Sequence, residues 1–435
     1  MDLFYQTKRV AFASGEEVYF VVDKEAIYPL EYPALYVAKK LRKKGRAAST
    51  IQKAMECVSI LYSWARSEDI ELEDRLSAKE YLTEEELDRL VDFCLLNFKV
   101  KDNEKVTRIT AAQVVAPESS RQTSKIKTIR TVEVPSVEPE TQYNRILMIA
   151  PYLMWLSIHL SGNEAFSRRS DIKTMVDDLK DYRPGRSRKK DTFNPKSLTR
   201  DELKTLYEYV TPESDKNPFK AKKRNDLKKV KSIQVRNELI FILLDKLGVR
   251  RGELCGIKLK DLHLAGNSGR VDIFRRPEDK ADTRKKRAQV KTEARELPID
   301  SKVAKKINEY VTRHRSKVKG AIKSEFLFIT HEKSGTPEGS PLSLDAVDMI
   351  FTKLSEASGI KVTPHCMRHT WNDEFSRKAD KEGWDIEREK ALRRYLMGWS
   401  ENSKMPDHYA KRHIRETANA ALLEMQNKST KGQSL

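Results

Sequence analysis

The sequence predicts a mainly α-helical chain of two domains, the second carrying a small antiparallel β-sheet. Three observations lead there. A length of 435 residues exceeds what one ordinary hydrophobic core organises. Apolar residues recur at steps of three and four through most of the non-loop chain, and strand-like runs are few and short. A turn-rich basic segment, Arg183-Pro-Gly-Arg-Ser-Arg-Lys-Lys-Asp-Thr-Phe-Asn-Pro195, interrupts the pattern. The expected organisation is an N-terminal helical domain over 1–182, a linker over 183–195 and a C-terminal domain over 196–435.

In the first domain, Ile51, Met55, Val58, Tyr62 and Ala65 predict a helix from Ser49 to Arg66, stopped by Ser67-Glu68-Asp69. Thr83-Glu-Glu-Glu86 is a capping box ahead of Leu87, Leu90, Val91 and Cys94, where a second helix begins. From about 99 to 140 the chain turns polar, with Val-Glu-Val-Pro and Val-Glu-Pro-Glu stretches that suit an extended connector or insert. Gln142 to His159 is strongly apolar and helical, completing an all-helical domain.

In the second domain, Thr199-Arg-Asp-Glu202 is another capping box, followed by Leu203, Leu206, Tyr207 and Val210. Lys216 to Lys231 carries eight basic residues against one acid, a pattern for a loop lying along phosphates or an exposed insert. Arg236 to Leu247 predicts an apolar helix. Arg270 to Phe274 and Glu296 to Ile299 predict short strands of a hairpin with a very basic tip. Helical spacing then covers 302–315, 345–358, 366–375, 387–397 and 414–426.

Lys plus Arg number 84 against 65 Asp plus Glu, a net charge of +19. With an isoelectric point near 9.5, that balance makes nucleic acid the first partner to test, against the alternative of a solvated basic surface. Cys57, Cys94, Cys255 and Cys366 lie far apart with no C-x-x-C pair, which predicts a reducing, cytoplasmic setting and no disulfide framework. The start of the chain lacks signal-peptide features, and the longest apolar stretch, Ile146 to Leu160, is interrupted by Pro151, so no membrane anchor is expected. No glycine-rich phosphate loop occurs, so neither a nucleotide nor any other cofactor is expected.

Cutting a phosphodiester needs an in-line oxygen nucleophile, cations around the developing charge and an acid for the departing alkoxide. Gly248-Val-Arg250-Arg-Gly-Glu-Leu254 places Arg250 at a helix-to-turn junction with its fork available to phosphate oxygens, although two adjacent arginines in a helix are more often solvated. His365-Cys-Met-Arg368 puts two such side chains three apart on one helix. His369 follows one turn past His365, but the HExxH zinc motif fails because Cys366 stands where Glu is required, so no metal is expected. Tyr409 sits in Lys404-Met-Pro-Asp-His-Tyr409-Ala-Lys-Arg, where cations favour phenolate character.

These three motifs, in this order, resemble the tyrosine recombinase (phage integrase) family over roughly 196–420. Gly248-x-Arg250-x-Gly-Glu253-Leu resembles its first arginine motif, Thr363-Pro-His365-x-x-Arg368-His-Thr its His-x-x-Arg motif, and Met397-Gly-Trp399 with Tyr409 its nucleophile segment. The resemblance implies that Arg250 and Arg368 clamp the scissile phosphate, that His365 hydrogen-bonds it or assists proton transfer, and that Trp399 takes a place many relatives give to histidine. Tyr409 would form a 3′-phosphotyrosyl bond. Lys291, in Lys291-Thr-Glu-Ala-Arg-Glu-Leu-Pro298, fits the family's hairpin lysine as general acid, with Lys280, Lys285 and Lys286 as rivals.

The resemblance further implies a two-domain clamp on double-stranded DNA, with strand exchange through a Holliday junction by a homotetramer on paired sites, a dimer per site, with accessory proteins possible and the protein held at the nucleoid. The phosphotyrosyl ester retains the energy of the cut bond, which accounts for the missing nucleotide motif. Two other readings stay open: a type IB topoisomerase relaxing DNA by the same chemistry, and an inactive recombinase-derived DNA-binding regulator. The helix at 414–426 could dock on its own domain or on a neighbouring subunit.

Overall fold

The computed structural model describes residues 3–12, 16–98, 135–184, 197–220, 227–264, 269–276, 279–284, 287–288, 292–332, 335–407, 417–419 and 421–426. The chain forms two compact units, Met1–Lys189 and Lys190–Leu435.

The N-terminal unit opens with a β-hairpin, β1 (Tyr5–Ala11) and β2 (Glu17–Asp23), paired antiparallel from Tyr5↔Asp23 to Ala11↔Glu17. This corrects the expectation of an all-helical domain. Glu17-Val-Tyr-Phe-Val-Val-Asp23 is rich in β-branched and aromatic residues, and it buries Val18, Tyr19, Val21 and Val22. Among the described residues, six α-helices follow: α1 (Glu31–Tyr36), α2 (Ala48–Ser67), α3 (Leu72–Ser77), α4 (Glu84–Phe93), α5 (Pro139–Leu160) and α6 (Arg169–Asp181). The sequence pattern located α2, α4 and α5 but not α6.

The predicted capping box at α4 forms in both directions: the Glu86 amide donates to Thr83 Oγ1 at 3.3 Å and the Thr83 amide donates to Glu86 Oε2 at 2.9 Å. Helix α5 starts at Pro139, inside the segment expected to be an extended connector, because proline suits the first helical position. Residues 99–134 of that connector lie outside the described residues. Ile51, Met55, Val58, Leu61 and Trp64 of α2 meet Ile149, Leu153 and Leu156 of α5 in one core. At its centre the Tyr62 and Tyr152 hydroxyls lie 2.7 Å apart, and Tyr62 donates to Glu73 at 2.5 Å.

The C-terminal unit is mainly helical with one small sheet. It contains α7 (Arg200–Val210), α8 (Leu227–Leu247) and α9 (Arg251–Gly256). A three-stranded antiparallel sheet follows, in the order β3 (Leu262–His263), β4 (Gly269–Ile273), β5 (Arg295–Ile299). Then come α10 (Ser301–Glu309), α11 (Leu344–Ser358), α12 (Pro364–Lys381) and α13 (Ile386–Met397). The capping box at α7 forms, with the Glu202 amide donating to Thr199 Oγ1 at 3.2 Å and the Thr199 amide donating to Glu202 Oε2 at 2.8 Å.

The basic stretch expected as a loop over 216–231 departs from that expectation. Its last residues form the first turns of α8, and acids from elsewhere in the unit neutralise them: Lys229 pairs with Glu338 at 2.7 Å and Lys231 with Glu213 at 2.8 Å. Residues 221–226 lie outside the described set. Leu239 to Leu244 of α8 form the middle of the core, with Val271, Leu297, Ile307, Phe328, Phe351 and Met367 around them. Of the segment expected as a terminal helix, 421–426 is helical and Leu422, Leu423 and Met425 are exposed. Among the described residues no helix is long and apolar enough to cross a membrane.

Candidate active site

Two glycines shape the site. Gly248 follows α8 with φ +58°, and a Cβ there would meet the Trp371 ring at 2.7 Å. Only glycine takes this left-handed turn so close to a neighbour, and the turn delivers Arg250 to the N-cap of α9. Gly398 ends α13 with φ +63°, where a Cβ would lie 2.5 Å from Arg295 Nη1 and 2.9 Å from Thr292 Cβ. It turns the chain into Trp399.

Helix α12 begins at Thr363-Pro364, with the Cys366 amide donating to Thr363 Oγ1 at 3.1 Å and proline at the first helical position. Arg368, one turn in, is 2% exposed. Its Nη1 donates to the Gly248 carbonyl at 2.7 Å and its Nη2 to the Met397 carbonyl at 3.3 Å, while its guanidinium lies 5.6 Å from the Trp399 ring centre. One arginine therefore joins the ends of α8 and α13.

Glu253, buried at 1%, is the hub of the cluster. Its carboxylate accepts from the Arg250 amide at 3.0 Å, Arg250 Nη1 at 3.3 Å, Thr292 Oγ1 at 2.6 Å and Arg295 Nη2 at 2.7 Å, and Arg368 Nη1 stands 4.0 Å away. Burial alone would raise its pKa, but the charges of Arg295 and Arg368 and the hydrogen bonds from Arg295 and Thr292 outweigh it, holding the carboxyl below its ordinary value. Glu253 thus stays ionised and holds the guanidinium groups in place.

Above this layer a cleft of about 570 Å³ is lined by Arg250, Arg275, Thr292, Glu293, Gly398, Trp399, Ser400 and Ser403, among others. The Arg250 side chain is 37% exposed, so its fork can meet an anion in the cleft. Arg368 lies buried with its guanidinium against backbone carbonyls. His365 is exposed, and its Nε2 lies 3.0 Å from Nε2 of His369. Trp399 is 7% exposed.

Of the sequence-predicted residues, the fold gathers Arg250, Arg368 and Trp399 into one cluster and leaves His365 exposed at the start of α12. Lys291 and Tyr409 lie outside the described residues, as do Lys285 and Lys286; Lys280 is exposed. Among the described residues no group of three or more His, Cys, Asp or Glu side chains is placed to hold a metal ion.

The model of the phage integrase family matches residues 196–425, more than half of the chain. The chain belongs to the phage integrase family. This is the tyrosine recombinase family, and its match spans the whole cluster just described. The curated relatives include the tyrosine recombinase XerA of Pyrococcus furiosus, 25% identical over 41% of this chain and 46% of that protein. Another is XerA of Thermococcus onnurineus, 26% identical over 41% of this chain and 47% of that one. The chain spans about half the length of these relatives. Among solved structures, the XerH site-specific recombinase bound to its difH substrate is 16% identical, covering 62% of this chain and 68% of its own, at a TM-score of 0.36.

Several site residues of this integrase-family chain escaped the sequence reading. Glu253 was visible inside the first arginine motif but had no assigned role. Thr292 and Arg295 follow Lys291 closely in the chain, and Arg275 follows β4; no periodicity marks them as site residues. A buried acid one helical turn after an arginine, in a motif already held to bind anions, was the one available signal.

Proposed function

We propose that this chain is a site-specific DNA recombinase or integrase that breaks and rejoins double-stranded DNA through a 3′-phosphotyrosyl intermediate. The observation that carries this reading is the meeting of the two arginine motifs. Arg368 hydrogen-bonds the Gly248 carbonyl, two residues before Arg250, and both arginines approach Glu253 beside a cleft bordered by Trp399. Preorganised guanidinium groups are what a phosphorane-like transition state requires, and the net charge of +19 suits a polyanionic substrate.

In this mechanism the scissile phosphate enters the cleft and meets Arg250 first. The buried Arg368 steadies the turn that presents Arg250 and adds positive potential from below. The Tyr409 phenol gives up its proton, to His365 or to solvent, as its oxygen attacks phosphorus in line, forming the P–O bond while the P–O5′ bond breaks. Lys291 gives its proton to the departing 5′-alkoxide, and His365 hydrogen-bonds the phosphate or assists proton transfer. In the reverse step a 5′-hydroxyl of a second strand displaces Tyr409. Two rounds on paired sites, through a Holliday junction in a homotetramer with a dimer per site, complete the exchange. The protein works in the cytoplasm on the nucleoid.

The test is incubation with nicked suicide duplexes made from the DNA that flanks the gene. A covalent protein–DNA adduct that is lost in Tyr409→Phe is expected. No adduct on any duplex would sink the reading, and relaxation of plasmids lacking a specific site would replace it with a topoisomerase.

A further inference from the structure

Helix α12 carries His365 and His369 one turn apart, so the two side chains share a face. Their rings meet edge to face with centres 4.4 Å apart, and their Nε2 atoms stand 3.0 Å from each other. His365 is exposed and His369 half-buried. Arg368, on the buried side of the same helix, is turned away toward the Gly248 and Met397 carbonyls and Glu253. Asp373, one further turn along the stripe of the two histidines, adds a negative charge to that face.

Cys366 in place of glutamate excludes metalloprotease chemistry, which needs a general base, but chelation needs only lone pairs. Imidazole is a good ligand for copper, nickel and zinc, and either ring nitrogen can serve. With each ring keeping its proton on Nδ1, both Nε2 lone pairs can meet at one ion. Two nitrogens 3.0 Å apart, each about 2.0–2.1 Å from a metal, subtend an angle of about 91–97° there. A tetrahedral zinc asks for about 109°, which needs the nitrogens about 3.3–3.4 Å apart. An angle near 90° is that of two adjacent positions in the tetragonal geometry of copper(II) and nickel(II). Water fills the other positions.

We propose that His365 and His369 form a two-nitrogen chelate for a late first-row divalent cation, copper(II) or nickel(II), and that an ion bound there blocks strand cleavage. A coordinated Nε2 has no lone pair left to take a proton and no hydrogen to give, so the ion removes from His365 the role given to it above. The block rests on the recombinase reading; the chelate does not.

Copper(II) iminodiacetate leaves two adjacent positions for protein ligands, so titrating the full chain with it reads the chelate by electron paramagnetic resonance. Wild type is expected to show a copper signal with two protein nitrogens. So is His159→Ala, a control at a histidine stacked on Trp155. Affinity is expected to fall by at least about 100-fold in His365→Gln and in His369→Gln, the gain that a second intramolecular contact gives. Glutamine keeps helix propensity at both positions.

Adduct formation with suicide duplex is then followed with and without excess nickel(II). Nickel is expected to slow wild type by about 100-fold, the lower end of what a general acid or base contributes, and EDTA to restore the rate. Magnesium, a hard cation that takes oxygen ligands, is expected to change nothing. In His369→Gln the ratio of rates without and with nickel is expected to lie near one, whatever the metal-free rate. A two-nitrogen signal that survives His369→Gln, a wild-type adduct rate that nickel leaves unchanged, or a nickel ratio as large in His369→Gln as in wild type overturns the proposal. Failure of the recombinase reading shows separately, as no adduct in any sample, metal-free ones included, with the copper signal intact.

Discussion

The two units solve the problem of burial differently. Among the described residues of the N-terminal unit, the buried polar ones are Ser59, Ser63, Gln142, Ser157 and Ser161, all neutral. In the C-terminal unit, by contrast, charged residues from Arg236 to Arg393 are buried, Glu253, Arg295 and Arg368 among them. Taking charges out of water costs several kcal/mol per ion and is offset only by well-placed partners. The N-terminal core is an apolar assembly of helices and a β-hairpin, and its polar centre is a tyrosine pair bonded to Glu73. The C-terminal unit accepts the cost of buried ions, and where three arginines surround one acid, that cost yields guanidinium groups held rigidly beside a cleft.

The contrast breaks most sharply at its hub. Glu253→Gln leaves Arg295 and Arg368 buried without a counter-charge and is expected to destabilise the chain by about 3–5 kcal/mol, read as a lowered denaturation midpoint. An unchanged midpoint would mean that the buried cluster is not paired as described.

Next in size is Gly398→Ala, which forces a side chain into a left-handed turn and against Arg295 and Thr292. A loss of about 2 kcal/mol is expected, with a larger fractional loss of DNA cleavage than of DNA binding. Equal losses of both would argue that Gly398 serves stability alone.

The pH dependence contributed by Glu253 and by Glu73 should have opposite sign. Glu253 has a folded pKa below its ordinary value, so its contribution is present above the unfolded carboxyl pKa of about 4.3 and is lost as pH falls through the folded value. Glu73 has a folded pKa raised, chiefly by burial. Its contribution is full below about 4.3 and is lost as pH rises through the folded value. Hydrogen exchange at α3 should therefore slow on mild acidification while exchange at α9 quickens in stronger acid. Glu73→Gln and Glu253→Gln should each abolish one trend only.

The smallest effect tests whether the contrast stops at the cores. Thr83→Ala and Thr199→Ala remove the same capping box, one from each unit, and each is expected to cost about 1 kcal/mol by thermal melting. Unequal costs would show that the surroundings of a cap matter as much as its own bonds.

What was legible in the sequence was local. Capping boxes at Thr83 and Thr199 were readable because both partners lie within one turn. Helices α2 and α5 were readable because their stripes are long. The β1–β2 hairpin went unread, since Glu17–Asp23 is short and buries residues on neither strict alternation nor helical spacing. The start of α8 went unread because its lysines looked like a repelling run, and Glu213 and Glu338, which neutralise two of them, come from distant parts of the chain.

By itself the sequence determined the residue types a phosphate-cutting site needs, their order, and the local turns that present them: Gly248 before Arg250, Thr363-Pro364 before His365, Gly398 before Trp399. Only the tertiary structure decided which of those side chains reach a cleft and which are sealed beneath it. It exposes Arg250, buries Arg368 and makes Glu253 the common partner. The reason is physical: spacing along a helix or turn sets direction within a few residues, whereas burial and charge pairing depend on segments more than a hundred residues apart being packed together.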